Sequence, residues 1–298
     1  MKSGFIAIIG RPNAGKSTLI NSLLKEKIAI TTSKAQTTRN AILGILNRDD
    51  LQIVFIDTPG IHEAKTALGS YMNKEAMSQA EGVDIIYYIV DGTKGLQNED
   101  KTIIERLKTY EAPIFLLVNK IDEMSQQQLI RRLSYAQENF DFAEIIPLSA
   151  LNSENLDELL NTSIGYLSDS VQYYPSDVKT NVNLDFRIAE IIREKIITNM
   201  REEVPHLVAV RVEEIKEKTS KVFIEATIIC NKDTHKGIII GKNGSMLKKI
   251  NDQSSSDIAK LFDNKKIILS LYVRVEEDWL NSQKQLFNLG YFSGDRDE

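Results

Sequence analysis

The apolar run Phe5-Ile-Ala-Ile-Ile9 passes directly into Gly10-Arg11-Pro12-Asn13-Ala14-Gly15-Lys16-Ser17-Thr18. A buried strand followed by a glycine-bounded loop and a helix start is an arrangement that few folds other than an open α/β sheet accommodate. The residue types have separate tasks. The glycines let backbone N–H groups close around a triphosphate, Lys16 reaches its outer phosphates, and the Ser17 hydroxyl is suited to ligate magnesium. The helix that begins there also turns its positive end toward the anion.

The rest of the first half continues the alternation of strand-like and helix-like runs. Strands are predicted at Gly4 to Ile9, Leu51 to Ile56, Ile85 to Val90, Ile114 to Val118 and Glu144 to Leu148, with a further one near Ala41 to Leu46. Helical periodicity covers Ser17 to Leu24, Tyr71 to Ala80, Asn98 to Thr109, Gln126 to Asn139 and Leu156 to Leu167. The fold class is therefore α/β, a doubly wound sheet whose ligand loops lie beyond the carboxyl ends of its strands. At 298 residues the chain has room for about two domains. The apolar pattern lapses around Ser168 to Asp177 and Pro175 breaks any helix. We place a first domain at 1–170, a linker at 171–182 and a second domain with its tail at 183–298.

Composition excludes several classes. A 42% hydrophobic and 27% charged chain has the make-up of a folded globular protein. The single Cys230 rules out an internal disulfide and a cysteine metal cluster, and reads as a buried thiol. No run reaches the roughly 18 apolar residues of a membrane span, and no cleavable signal precedes the first strand, so a cytoplasmic protein is expected. No heptad run suggests a coiled coil, and the expectation is a monomer. The net charge of -5 argues against coating nucleic acid by bulk attraction. It is unevenly spread: residues 1–178 carry 17 basic against 23 acidic side chains, and residues 179–298 carry 20 against 19.

Three further motifs follow predicted strands. Asp57-Thr58-Pro59-Gly60 offers a carboxylate that can hold magnesium through water and a Gly60 N–H for a γ-phosphate. Asn119-Lys120-Ile121-Asp122 offers a carboxylate matched to the N1 and 2-amino donors of guanine, a pair that adenine lacks. In this reading the Lys120 stem packs over the base and Asn119 ties its loop to the phosphate loop. Ser149-Ala150 places the Ala150 N–H for the guanine carbonyl. Each alone is weak, but all four in order at strand ends leave coincidence below roughly one in ten thousand.

With these motifs the chain resembles the translation-factor-related branch of phosphate-loop GTPases. The resemblance implies that residues 31–39 form a switch carrying a magnesium-ligating threonine, which we assign to Thr38 rather than Thr37. It implies GTP and GDP as ligands and catalytic roles for Lys16, Thr38 and the Gly60 N–H. Ile61 stands where Ras-like GTPases carry a water-orienting glutamine, so water must be positioned by backbone groups, an ion or a partner. In related enzymes an asparagine at the place of Asn13 holds potassium, which makes potassium a candidate second ion.

In the second half, Ile238-Ile239-Ile240-Gly241-Lys242-Asn243-Gly244 joins an apolar run to a helix through Gly-x-x-Gly. The segment Lys232 to Lys249 carries five lysines, Lys236, Lys242, Lys248 and Lys249 among them, against Asp233 alone, a local charge of +4. Small residues bracketing a basic one let an RNA backbone lie close, and Ile239 and Ile240 are expected to floor a base groove. Around this turn we read a helix at Leu184 to Asn199 and strands at Leu207 to Ile215 and Lys221 to Cys230. An apolar turn leads into Gly241, helices follow at Ser245 onward and Ser256 to Phe262, and a strand runs from Lys266 to Val275. That order resembles a type II KH domain. Together with Phe186-Arg-Ile-Ala-Glu-Ile-Ile-Arg-Glu-Lys195, the two halves resemble the Era family of bacterial GTPases over nearly the whole chain. The resemblance implies a ribosome-assembly factor that binds the 3′ end of small-subunit ribosomal RNA and contacts the small subunit, with peripheral contact to the inner membrane. In the tail, Leu286 to Phe292, Trp279 and Phe287 are expected to pack rather than to stack on bases.

Overall fold

The computed structural model describes residues 1–31, 38–200 and 203–291. Thr37 and Phe292 lie outside the described residues. Backbone proximity divides the chain into two units: Met1–Ala64 with Met72–Asn181, and Lys65–Tyr71 with Val182 onward.

The first unit is built on a six-stranded sheet of β1 (Lys2–Ile9), β2 (Ile42–Arg48), β3 (Leu51–Asp57), β4 (Ile85–Asp91), β5 (Ile114–Asn119) and β6 (Glu144–Leu148). Its order is β2-β3-β1-β4-β5-β6, antiparallel only between β2 and β3. Residues Ile6 to Ile9, Ile53 to Phe55 and Ile85 to Ile89 are almost fully buried, as expected for parallel strands covered on both faces. The helices are α1 (Lys16–Leu24), α2 (Ala67–Ser78), which belongs to this unit from Met72 onward, α3 (Asn98–Leu107), α4 (Gln126–Asn139) and α5 (Leu156–Tyr166). Capping explains two of the starts. The Ser125 hydroxyl accepts from the Gln128 N–H at α4, and the Asp100 carboxylate accepts from the Gln97 N–H at α3.

Residues 173–180 run along β2. Thr180 bridges Gly44, the Ile45 N–H donates to the Lys179 carbonyl (2.9 Å), and the Gln52 amide bonds Tyr173 N–H, Tyr174 N–H and the Tyr174 carbonyl at 2.7–3.0 Å. Most of the expected linker thus belongs to the first unit, where it satisfies groups that an edge strand would leave unpaired.

The second unit contains α6 (Leu184–Asn199), β7 (Val208–Glu217), β8 (Lys221–Cys230), α7 (Asp233–Ile240), α8 (Ser245–Ala259), β9 (Lys266–Val275) and α9 (Gln283–Asn288). Its sheet has the order β7-β8-β9, antiparallel then parallel. One face carries Val222, Ile224, Ala226 and Ile228 into a core shared with Ile188, Ile192, Ile196, Ile239, Ile250 and Ile258 of the helices. Two expectations change here. The apolar turn before Gly241 is the helix α7, whose one full inward contact is Ile239. The two helical stretches after Gly244 are the single helix α8 closed by a 3-10 turn at Lys260–Phe262. The serine run at 254–256 hid that continuity, because Ser254 occupies a buried position that periodicity reserves for an apolar residue. Trp279 is fully buried, with its indole N–H donating to the Leu207 carbonyl (3.1 Å), and Cys230 is buried. Phe287, expected in the core, is 51% exposed, and Leu286 takes the inward place on α9.

Candidate nucleotide site and the glycine turn

Four loops meet beyond the carboxyl ends of β1, β3, β5 and β6. The loop after β1 requires its glycines: a Cβ on Gly10 would lie 2.3 Å from the Ile89 carbonyl oxygen, and Gly15 has φ 106° with its Cβ position 2.1 Å from the Asn119 amide. Pro12, Asn13, Gly15, Lys16, Ser17, Thr18, Thr31, Thr38 and Gly60 line the open cleft above it.

Lys16 is buried at the bottom, donating to the carbonyls of Gly10 (3.1 Å) and Arg11 (3.2 Å). Burial lowers its pKa to about 8, with Asp57 acting in the opposite direction. Asp57 is fully buried at the end of β3, and that burial raises its pKa against the influence of Lys16, Ser17 and Thr38. The Ser17 hydroxyl lies 2.8 Å from both Asp57 Oδ2 and Thr38 Oγ1, and Thr38 Oγ1 is 3.2 Å from Asp57 Oδ2. The other carboxylate oxygen, Asp57 Oδ1, is buried with no hydrogen-bond partner among the described residues. Two hydroxyl side chains around a buried carboxylate with one orphan oxygen form a hard donor set suited to magnesium.

Gly60 passes close to the phosphate loop, its Cβ position 3.0 Å from Pro12, and the Ile61 N–H donates to the Gly10 carbonyl (3.3 Å). The Ile61 side chain packs against the apolar cluster around Ile86, Tyr88 and Leu116. The Thr58 hydroxyl donates to the Ile8 carbonyl (2.8 Å), holding Pro59 and Gly60 beside β1. Asn13 has φ 64°, is exposed, and makes no hydrogen bond among the described residues.

Asn119 performs the tie expected of it. Its side-chain NH₂ donates to the Ala14 carbonyl (2.8 Å), and its Oδ1 accepts from the Ala150 N–H (2.9 Å). That second bond differs from expectation, since the Ala150 N–H is already committed within the protein. The Ala150 carbonyl accepts from the Ser22 hydroxyl (2.6 Å), and Ser149 is fully buried. Asp122 stands exposed on the 3-10 turn Ile121–Glu123 with no partner among the described residues. Lys120 has φ 67°, and its Nζ reaches Asp91 Oδ2 at 2.7 Å.

Asp91 and Asp100 escaped the sequence reading. Asp91 anchors Lys120 while its other oxygen accepts from the Thr93 hydroxyl (2.6 Å) and N–H (3.1 Å). Its burial acts to raise its pKa, but Lys120, Thr93 and Lys94 together hold it below the ordinary value. The only available signal was a carboxylate at the end of a strand, opposite Asn119 in register. Arg11 lies 3.6 Å from Glu99 and from Asp100, and Asp100 also accepts from the Tyr88 hydroxyl (2.6 Å), which links the phosphate loop to β4 and α3.

In the second unit, Gly241 has φ 72° and its Cβ position lies 2.7 Å from Met246 Cβ, so a side chain would collide there. Gly244 has φ 76° but faces open space. Lys242, Asn243, Lys248 and Lys249 are exposed, and Lys236 and Ile240 are half-buried. Ile239 corrects an expectation: it is fully buried in the core and floors no groove, because helical spacing turns it inward while Ile238 is 52% exposed.

Residues 5–120 match the family described as 50S ribosome-binding GTPase, and residues 203–280 match the KH domain. The chain is 47% identical to GTPase Era of Clostridium kluyveri over 292 residues, 98% of this chain and 99% of the relative. It is 46% identical to GTPase Era of Clostridium novyi, covering 97% and 99%. A crystal structure of Era in complex with MgGDPNP and nucleotides 1506-1542 of 16S ribosomal RNA is similar at TM-score 0.94 and 36% identity, covering 98% of this chain and 99% of that one. An Aquifex aeolicus Era variant bound to GDP.AlF4- matches with the same TM-score, identity and coverage. On identity across nearly the full length, with both domains in the same order, this chain belongs to the Era family of GTPases.

Proposed function

We propose that the protein is a GTP-hydrolysing ribosome-assembly factor that binds the 3′ end of small-subunit ribosomal RNA through its KH domain and is gated by its nucleotide. The observation that carries this reading is the hydrogen-bonded convergence of Ser17, Thr38 and Asp57 around an orphan carboxylate oxygen. The similar Era structure, which holds MgGDPNP and ribosomal RNA nucleotides, supports both halves of it.

In this reading Gly10 to Thr18 cradle GTP or GDP, with Lys16 exchanging its two carbonyl partners for phosphate oxygens. Ser17, Thr38 and, through water, Asp57 hold magnesium, which neutralises charge on the phosphates when bound. Asp57 to Gly60 meet the γ-phosphate, and the Gly60 N–H binds one of its oxygens. Asn119, Lys120, Asp122, Ser149 and Ala150 form the guanine end, where Asp122 accepts two hydrogen bonds from the base and Asn119 keeps the loops in place.

Ile61 packs into the protein rather than presenting a polar group, so water is positioned without a glutamine side chain. The unpaired Asn13 amide is the candidate potassium ligand, and potassium there supplies part of the charge neutralisation. Residues 1–170 act as the GTPase and 183–298 as the RNA-binding domain. Lys236, Ile240, Lys242, Asn243, Gly244, Lys248 and Lys249 face the RNA backbone and Gly241 lets it approach. The protein acts as a cytoplasmic monomer, and any inner-membrane contact is peripheral; among the described residues no helix is long and apolar enough to cross a membrane.

The test is binding of a fluorescent oligonucleotide from the 3′ end of small-subunit ribosomal RNA, in GDP and in a nonhydrolysable GTP analogue with magnesium. Tighter binding in the GTP-like state, abolished by Gly244→Asp, is expected. Gly244 is preferred to Gly241 because its side-chain position is open, so the added group meets no neighbouring atom and the cost within the protein is confined to the left-handed φ of 76°. Equal binding in both states refutes the gating, and absence of binding refutes the RNA assignment.

A further inference from the structure

The sheet of the second unit has two unlike faces. Val210, Ile228 and Val273 form one cross-strand row and Val212, Ala226 and Leu271 another, and both rows pack into the core beneath the helices. Between them, Arg211, Thr227 and Tyr272 form a row that points the other way. This outer row borders an open groove of ≈ 510 Å³, which Glu213, Lys236 and Arg274 also line.

The groove's charge is opposite to that of the chain. Three cations face one carboxylate, a lining charge of +2 in a protein of net charge -5. Glu213 is spent on Arg211, whose Nε and Nη2 donate to it at 3.0 and 2.8 Å. Arg274 and Lys236 make no salt bridge among the described residues. Tyr272 is 56% exposed with its hydroxyl unpaired among the described residues, an unusual position for a large ring on a sheet that buries its other face.

An exposed ring on a sheet, flanked by unpaired cations, is the arrangement on which a nucleotide stacks while its phosphates are neutralised. We propose that this groove is a second contact for single-stranded RNA, with a base on the Tyr272 ring and flanking phosphates on Arg274 and Lys236. It rests on the RNA-binding reading above and extends that surface beyond the glycine turn. Stacking of this kind tolerates any base, so the groove adds affinity and length dependence, whereas sequence preference comes from elsewhere.

The experiment uses the full chain with magnesium and a nonhydrolysable GTP analogue, and two fluorescent oligonucleotides. One has about four nucleotides, the length a KH loop clamps, and the other has roughly twelve. Tyr272→Ala is expected to weaken the longer one roughly tenfold and leave the shorter one unaffected. Tyr272→Phe, which keeps the ring, is expected to bind both like the wild type. Arg274→Gln is expected to lower the salt dependence of binding to the longer one by about 0.7 in log–log slope. Equal weakening for both lengths, or none, overturns the proposal, the second being the outcome if the groove serves a protein partner. Failure of the unsubstituted protein to bind either oligonucleotide overturns the RNA-binding reading and this proposal with it.

Discussion

Replacing Asn119 with alanine removes one side chain that joins three segments of the nucleotide site. Asn119 is only 3% exposed, and its two bonds, to the Ala14 carbonyl and from the Ala150 N–H, are both buried. Alanine leaves those two backbone groups without partners. At about 1–3 kcal/mol for each unsatisfied buried group, the expected loss is about 2–6 kcal/mol. For a unit of this size each kcal/mol moves the melting temperature by about 2–4 °C, so a loss near the lower middle of that range, about 3 kcal/mol, corresponds to about 6–12 °C. Calorimetry of the full chain measures this directly, and the transition that rises on adding GDP identifies the nucleotide-binding unit. Asn119→Asp provides the control for shape. It retains an acceptor for Ala150 but sets a carboxylate oxygen against the Ala14 carbonyl, and it is expected to be destabilised as well. A shift below about 1 °C in Asn119→Ala would refute the claim that this side chain holds the loops together.

Asp122→Asn exchanges a carboxylate acceptor for an amide and is expected to weaken GDP binding by at least about a hundredfold while improving binding of xanthosine diphosphate; direct titration with both nucleotides tests it. Potassium is expected to accelerate GTP hydrolysis relative to sodium, and Asn13→Ala to remove that difference; identical turnover in the two salts refutes the ion assignment. In the second unit, burial acts to raise the pKa of Asp257, but hydrogen bonds from Lys195 and Lys260 lower it from 3.8 to about 2. The stabilisation is therefore present above pH 3.8 and is lost as pH falls through about 2. The stability gap between wild type and Asp257→Asn is expected to be constant at neutral pH and to close across that window, as followed by urea unfolding at a series of pH values.

Much of the site was legible because its signals are local. A glycine loop after an apolar strand, or Asn-Lys-x-Asp after another, is a short-range pattern whose spacing reflects the backbone's need to meet an anion or a base. Strand and helix positions in the first unit were readable for a similar reason, since buried parallel strands are continuous apolar runs. The second unit was less transparent. The helix α7 ends in three consecutive isoleucines, Ile238, Ile239 and Ile240, and composition does not say which of them faces the core.

Local residue patterns were enough to establish the fold class, the order of the motifs, the isoleucine after Gly60 and the presence of a Gly-x-x-Gly turn. Which side chains meet depends instead on how the elements pack. Strand register set Asp91 opposite Asn119 and so brought a carboxylate to Lys120 from 29 residues away. The approach of three separate segments brought Thr38, Ser17 and Asp57 into one hydrogen-bonded cluster. Helix phase sent Ile239 inward, and strand alternation sent Tyr272 outward. The physical reason is common to these cases. A motif is specified by neighbours along the chain, whereas a contact between distant residues depends on register and helix phase, which are set when the apolar faces of the whole unit pack together.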